Sequence, residues 1–435
     1  MKKTMKPWVA LFGMLLFAAV VRSETSFTKK ISDIGSLEGT IRTHDGGYIF
    51  SINDNKKNRV VLRKIDALGK KVWQRQLVGS DQEQMEARGL GLAADGGIFL
   101  TITHPPYYFG QPAVEVLKLD ADGRIEWNRR FLEVPGSDFG AWVRFDSIAG
   151  TADGGAVAAG GVCIFICEWF DGPVVAKFSS TGETEWLKSF GDFRVTMVNV
   201  TTLSDGGFMV GSAGFDFNKA PDLLKLNASG EVEWAKSFEK DNWYPEIQAA
   251  PDGGAILIYS SPYTDPQGQL LWVKVDSTGK VVWKKGVAFE NLAIDSARLA
   301  GGLSSDGSYV LFGSAGRNNN TFLAKADTGG NVQSVTILNE NSFGKVAAIY
   351  PNVDGTVLFG SLKGLDRDLF FSGLDSSGRL SRCSLSNSTA RPIETPFGKL
   401  RSKTLYLTAH AFSLKSGNSN IESKPLKKRA KRFCP

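Results

Sequence analysis

Histidine is almost missing from this chain: His44, His104 and His410 are the only three in 435 residues. A His-based metal cage has no material to draw on, and a Ser-His-Asp relay would rest on His104, which no Gly-x-Ser-x-Gly elbow accompanies. The Gly-rich phosphate loop and the dinucleotide fingerprint are both absent. Past residue 23 no stretch is long and apolar enough to span a bilayer, and none keeps a 3.6-residue period, so helices are not expected. The body also lacks a positive excess. Residues 24–390 carry 36 basic and 43 acidic side chains, a net −7, which argues against nucleic acid as partner. The formal +6 of the whole chain comes from its ends, +4 in residues 1–23 and +9 in 391–435.

Those ends read differently. Lys2, Lys3 and Lys6 precede an apolar stretch from Trp8 to Val21 and then Val21-Arg22-Ser23, the pattern of an export signal. Cleavage after Ser23 and a secreted or periplasmic address are expected, with no membrane span left in the product. The tail closes with Lys427-Lys428-Arg429-Ala430-Lys431-Arg432, a solvated run or a patch for anionic polymers or lipids. Cysteine is scarce but even in number, which fits an oxidising compartment. Cys383–Cys434 is expected to tether the tail, and Cys163–Cys167 to close a short loop that must turn to bring its ends within disulfide reach.

What the chain has in abundance is glycine, 48 residues, and much of it repeats. Asp-Gly pairs begin at Asp45, Asp95, Asp153, Asp205, Asp252, Asp306 and Asp354, 47 to 58 residues apart. About twenty residues after each comes Lys-x-Asp-x-x-Gly-x-x-x-Trp, as in Lys64-Asp66-Gly69-Trp73 and Lys118-Asp120-Gly123-Trp127. Trp186, Trp234 and Trp283 complete later copies; the sixth unit has Ser334 in the Trp position. Both motifs sit between alternating apolar and polar flanks, so each unit is two hairpins and four strands. Seven such units specify an all-β fold, a seven-bladed β-propeller of four-stranded blades over residues 24–386, with a C-terminal extension over 387–435. Phe27-Thr28-Lys29-Lys30-Ile31 matches the strand that follows each Trp, so the N-terminus is expected to supply the outer strand of the last blade. Arg379 to Ser386 is the rival for that place. Lys403 to Thr408 offers one edge strand in the tail.

The Lys/Asp/Gly/Trp unit resembles the tryptophan-docking motif of quinoprotein (PQQ-like repeat) propellers. Together with Asp-Gly-Gly and the terminal cysteines, it resembles more closely an uncharacterised group of exported bacterial β-propeller-repeat proteins. The resemblance covers about residues 27–384 and implies a fold in which Trp73, Trp127, Trp186, Trp234 and Trp283 lock neighbouring blades. Quinoprotein dehydrogenases have eight blades around a quinone and a calcium ion. This chain has seven units and no matching ligand set, so no catalytic residue carries over.

Function is expected where the units differ. The Asp-Gly and Asp-x-x-Gly turns share one uniform end of the ring, and the variable loops share the other. Those loops are expected to bring Tyr107, Tyr108, Trp142, Trp169, Phe215, Trp243 and Tyr244 near Asp138, Glu168, Asp192 and Asp241, an aromatic and polar mixture suited to a polysaccharide or a protein partner. A non-catalytic binding or scaffold role stands first, with no cofactor, metal or assigned catalytic residue. The alternatives are a glycan hydrolase working through paired carboxylates among those acids, and a structural part of a cell-surface assembly.

Overall fold

The computed structural model describes residues 28–79, 84–105, 113–132, 142–163, 170–190, 194–214, 221–238, 245–250, 252–260, 270–289, 294–299, 307–315, 320–338, 343–352, 355–362 and 365–375. In the tail it describes 387–389, 392–394, 402–405, 409–411, 416–417, 421–426 and 431–432. The chain is a seven-bladed β-propeller of four-stranded antiparallel blades. Blade 1 runs Ser36–Arg42, Tyr48–Asp54, Arg59–Ile65 and Lys71–Val78, and blade 2 runs Glu86–Leu92, Ile98–His104, Ala113–Leu119 and Ile125–Phe131. The first strand of each later blade is Trp142–Gly150, Arg194–Thr202, Pro245–Ala249, Ile294–Leu299 and Phe343–Asn352 in blades 3 to 7. These first strands touch one another around the ring and are therefore the innermost.

The two repeated turns have distinct physical causes. At Asp-Gly-Gly the first glycine takes a positive φ, +77° at Gly46, which closes a tight hairpin between Thr43 and Gly47. A Cβ on the second glycine would lie 2.4 Å from the Ile65 carbonyl oxygen, so the third strand of the blade forbids a side chain there. The repeated Lys then crosses the blade to the Asp of this turn: Lys64 to Asp45 at 2.8 Å, Lys177 to Asp153 at 2.8 Å, Lys225 to Asp205 at 2.8 Å, Lys274 to Asp252 at 2.6 Å. The Asp of Lys-x-Asp serves its own turn, as Asp66 accepts from the Leu68 and Lys70 amides at 3.0 and 2.8 Å.

The tryptophans join blade to blade. Trp73 donates to the Ala121 carbonyl of blade 2 at 2.8 Å, Trp127 to Ser180 at 2.8 Å, and Trp186, Trp234 and Trp283 to Ala228, Ser277 and Thr328 at 3.3, 3.0 and 3.2 Å. The glycine of the receiving turn is flat against the ring: a Cβ on Gly123 would sit 3.0 Å from the Trp73 indole. A cation two residues after the Trp reinforces the contact, with Arg75 reaching the Asp122 carbonyl, Arg129 that of Thr181 and Lys188 that of Ser229. Between the blades lie apolar layers such as Leu62, Leu77, Leu100, Ile102 and Leu117 at the seam of blades 1 and 2.

The N-terminal strand Thr28–Ile31 pairs with Leu365–Asp375 as the fourth strand of blade 7, so the ring closes as the sequence indicates. The tail does far more than add one edge strand. Asn387–Thr389 pairs with the outer strand of blade 6 and Pro392–Glu394 with that of blade 5. Ser402–Leu405, Ala409–Ala411, Ser416–Gly417 and Glu422–Pro425 follow on blades 4, 3, 2 and 1. Lys431–Arg432 ends the circuit on Thr28–Ile31 in blade 7. The extension is a belt that visits every blade in reverse order. Ile421, 6% exposed, anchors it in the layer between blades 1 and 2, and Leu426 packs at the seam of blades 7 and 1.

Candidate functional site

The innermost strands share an irregularity that the repeat motifs hide. In blade 1 the register with the second strand shifts between Leu37 and Gly39, in blade 2 between Ala87 and Leu90, and in blade 3 between Phe145 and Ser147. The residues extruded by these bulges include Glu38, Arg88 and Asp146. A β-bulge re-aims the side chain at the extra position, and bulges gather beside functional sites for that reason. Blades 4, 6 and 7 shift as well, at Thr196, at Asp295 and twice between Phe343 and Ala348. Glu38 and Arg88 stand third in their strands and Asp146 fifth of nine, each on the innermost strand of its blade.

Each bulged residue is paired with the side chain two positions before it. Ser36 Oγ donates to Glu38 at 2.8 Å; Arg88 forms an ion pair with Glu86; Arg144 holds Asp146 through Nε at 2.8 Å and Nη2 at 3.0 Å. Three neighbouring blades thus present an acid, an acid with a base, and a base with an acid. The backbone beneath is stapled between blades. Asn53 accepts from the Ala87 amide at 2.8 Å and donates to its carbonyl at 3.3 Å, and Thr101 bridges the Gly89 amide to the Phe145 carbonyl. These side chains are consequently fixed from below while their charged ends remain partly open, Glu38 most of all.

Their electrostatics are unusual for carboxylates. Burial in the wall of the ring pushes the Glu38 carboxyl up, and the neighbouring Glu86 charge adds to the shift against the opposing Ser36 and Arg88. Burial raises Asp146 as well, despite Arg144 and Arg88. At the uniform end the same residue type behaves oppositely: Lys64 and Thr43 hold Asp45 at about 2.

Among the aromatic residues expected to form the binding face, Trp142 is described, and it corrects the expectation. It begins the inner strand of blade 3, is 2% exposed and packs with Val157, Ala159, Phe190 and Val198. Its ring belongs to the layer between blades 3 and 4 rather than to an open stacking surface. Tyr107, Tyr108, Trp169, Phe215, Trp243 and Tyr244 lie outside the described residues, as do Asp138, Glu168, Asp192 and Asp241. So do Cys167, Cys383 and Cys434; Cys163 ends the second strand of blade 3. One segment ties that aromatic loop to the channel mouth: Phe170–Asp171, just past Trp169, pairs with Arg194 and Val195 on the innermost strand of blade 4. His104 is buried against Glu115 at 3.1 Å, and Arg130 pairs with the same carboxylate at 3.2 Å, so the imidazole is enclosed within blade 2.

The charged mouth has a sequence signal that motif reading passes over. Glu38, Arg88 and Asp146 each stand seven residues before the Asp of the Asp-Gly turn, with Ser36, Glu86 and Arg144 nine before it. At the seventh position blades 4 to 7 have Val198, Pro245, Leu299 and Ala347. Among the described residues no cluster of three or more His, Cys, Asp and Glu side chains is arranged to hold a metal ion, and no helix is long and apolar enough to cross a membrane.

No family model matches the chain, and no curated protein matches it. Among solved structures it is similar to a protein of unknown function from Dyadobacter fermentans, at 12% identity over 67% of this chain and 94% of that one, with a TM-score of 0.38. It is also similar to an α-L-arabinanase from Penicillium chrysogenum, at 10% identity over 80% and 98% of the two chains, TM-score 0.35. An exo-β-1,3-galactanase from Phanerochaete chrysosporium matches at 9% identity over 91% and 100%, TM-score 0.35. Likenesses this slight do not bear on activity.

Proposed function

We propose that this is an exported glycan-binding propeller whose ligand lies across the channel mouth over blades 1 to 3. The observation that carries the reading is the set of bulged, paired charges Glu38, Glu86–Arg88 and Arg144–Asp146 on three consecutive inner strands. Carboxylate and guanidinium groups already fixed by partners take vicinal hydroxyls in pairs without the entropic cost of ordering long side chains. Trp169 immediately precedes in sequence the segment Phe170–Asp171 that pairs on blade 4, and in this reading its ring stacks on the sugar. The tail cysteines, export signal and disulfides Cys163–Cys167 and Cys383–Cys434 belong to the same proposal.

The test is a glycan array followed by calorimetry on protein beginning at Glu24. Saturable binding that Glu38→Gln and Asp146→Asn each weaken at least tenfold, with unchanged thermal stability, supports the site. Binding unaffected by both changes removes it from the mouth.

Hydrolysis is a second reading, and one observation favours it. Glu38 is held toward its protonated form beside Glu86, which Arg88 pairs, and unlike environments for two neighbouring carboxyls are how an acid and a base are made from one residue type. Release of reducing ends from any glycan that binds, lost in Glu38→Gln with affinity retained, would turn the binder into an enzyme.

A further inference from the structure

At the seam where blade 7 meets blade 1, a cation stands where blades 2 to 6 have an apolar residue. Arg63 immediately precedes the repeated Lys64, and in blades 2 to 6 that position is Leu117, Ala176, Leu224, Val273 and Ala324. Each of those residues is apolar and packs against the preceding blade. Arg63 is 1% exposed and lies on the face of its strand that carries Val61 and Ile65 into the layer shared with Phe359, Leu369 and Phe371 of blade 7. Neither its Nε nor its Nη1 has a hydrogen-bond partner. Burial pulls this guanidinium down to about 10. A buried ionised group normally finds a partner, because leaving it unsatisfied costs several kcal/mol (on the order of a whole hydrogen-bonded network).

Among the described residues the surroundings add positive charge, and no carboxylate pairs with Arg63. Lys29, on the closing strand across the seam, donates to the Gly69 carbonyl at 2.7 Å; burial and Arg63 lower its ammonium against the pull of Asp66. Asp66 is engaged by its own turn amides. The belt meets this seam on both sides, with Pro425 opposite Arg75 in blade 1 and Lys431 and Arg432 opposite Lys30 and Lys29 in blade 7, and from Ser423 onward the sequence has six basic residues and no acid. Elsewhere on the same seam the cations do have carboxylates: Arg367 bridges Asp33 at 2.7 Å and Asp54 at 2.6 Å, and Arg59 meets Asp54 at 2.8 Å.

We propose that the seam between blades 7 and 1 holds a small inorganic anion, a halide or a compact oxyanion, on the buried Arg63 guanidinium and the Lys29 ammonium. At 1% exposure Arg63 is out of reach of a polymer, and the ion acts as the missing counter-charge of the closure. It is independent of any ligand at the channel mouth.

Thermal unfolding of the full chain tests it at fixed ionic strength, with gluconate replaced stepwise by chloride, bromide, sulfate or phosphate. The wild type should gain Tm with the logarithm of one of these anions. Arg63→Leu, which installs the residue of blades 2 and 4, should not respond beyond the general salt effect. Equal responses in the two proteins, or none in either, overturn the proposal. If Arg63→Leu does not fold, anomalous diffraction from bromide-soaked wild-type crystals decides: a peak within hydrogen-bond distance of Arg63 supports the site, and peaks on the outer surface alone sink it.

Discussion

The carboxylates at the two ends of this ring have opposite fates. At the uniform end, Asp45, Asp95, Asp153, Asp205 and Asp252 are each tied to the lysine of their own blade and lie below the ordinary aspartate value of 3.8. At the channel mouth, Glu38 and Asp146 are raised, because the surrounding protein disfavours their charge more than their partners favour it. One end uses charge to hold turns in register. The other keeps charge where folding does not want it, and groups held against their preference are the ones a ligand can satisfy.

Substitutions should separate the ends by what they damage. The largest effect is expected from Trp127→Ala, which removes the Ser180 hydrogen bond, the packing on Gly182 and the contact with Phe99 at 5.9 Å. A half-buried tryptophan lost from a seam should cost about 2–3 kcal/mol, read by urea unfolding. Asp153→Asn, with its carboxylate largely exposed, should cost about 0.2–1 kcal/mol. Glu38→Gln should leave stability at pH 7 unchanged or slightly higher while abolishing binding at the mouth. A measured loss of stability there would erase the distinction between the two ends.

The pH dependence sharpens the same contrast. For Asp45 and Asp153, with folded values of about 2, the stabilisation is complete above the unfolded value near 3.8 and is lost as pH falls toward 2. Glu38 works in reverse: its folded pKa lies above 4.5, so its contribution is present in acid and is lost as pH rises through the folded value. Urea unfolding of the wild type and each variant between pH 2 and 7 should show Asp153→Asn flattening the acid limb. Glu38→Gln should instead remove a small decline at its upper end.

How far the sequence discloses all this depends on whether a feature repeats. The Trp-to-Gly dock and the Lys-to-Asp pair recur at fixed spacing, so blade number, turn chemistry and ring closure through Lys29 and Ile31 can be read directly. Arg75, Arg129 and Lys188 recur just as regularly, two residues after their tryptophans, and are legible once the dock is understood. The bulges are not, since an extra residue in a strand is a matter of backbone register; only the charge at the seventh position of blades 1 to 3 hints at them. Trp142 misleads because an aromatic residue beside a loop gives no sign of which way the following strand turns it. The belt is the least visible element, because segments of two to four residues such as Ser416–Gly417 are too short to show any alternation.

That belt has a consequence for how the protein comes into being. The chain travels around the axis once to lay down the blades and returns the opposite way to cover their outer edges, finishing on the blade that also takes the N-terminal strand. A chain emerging end-first therefore exposes the edge of every finished blade until nearly its last fifty residues have arrived. Bare edges of this kind recruit other chains. The interval between the seventh blade and the final strand is when newly made copies are most exposed to one another, and a factor that shields bare edges would matter most during that interval.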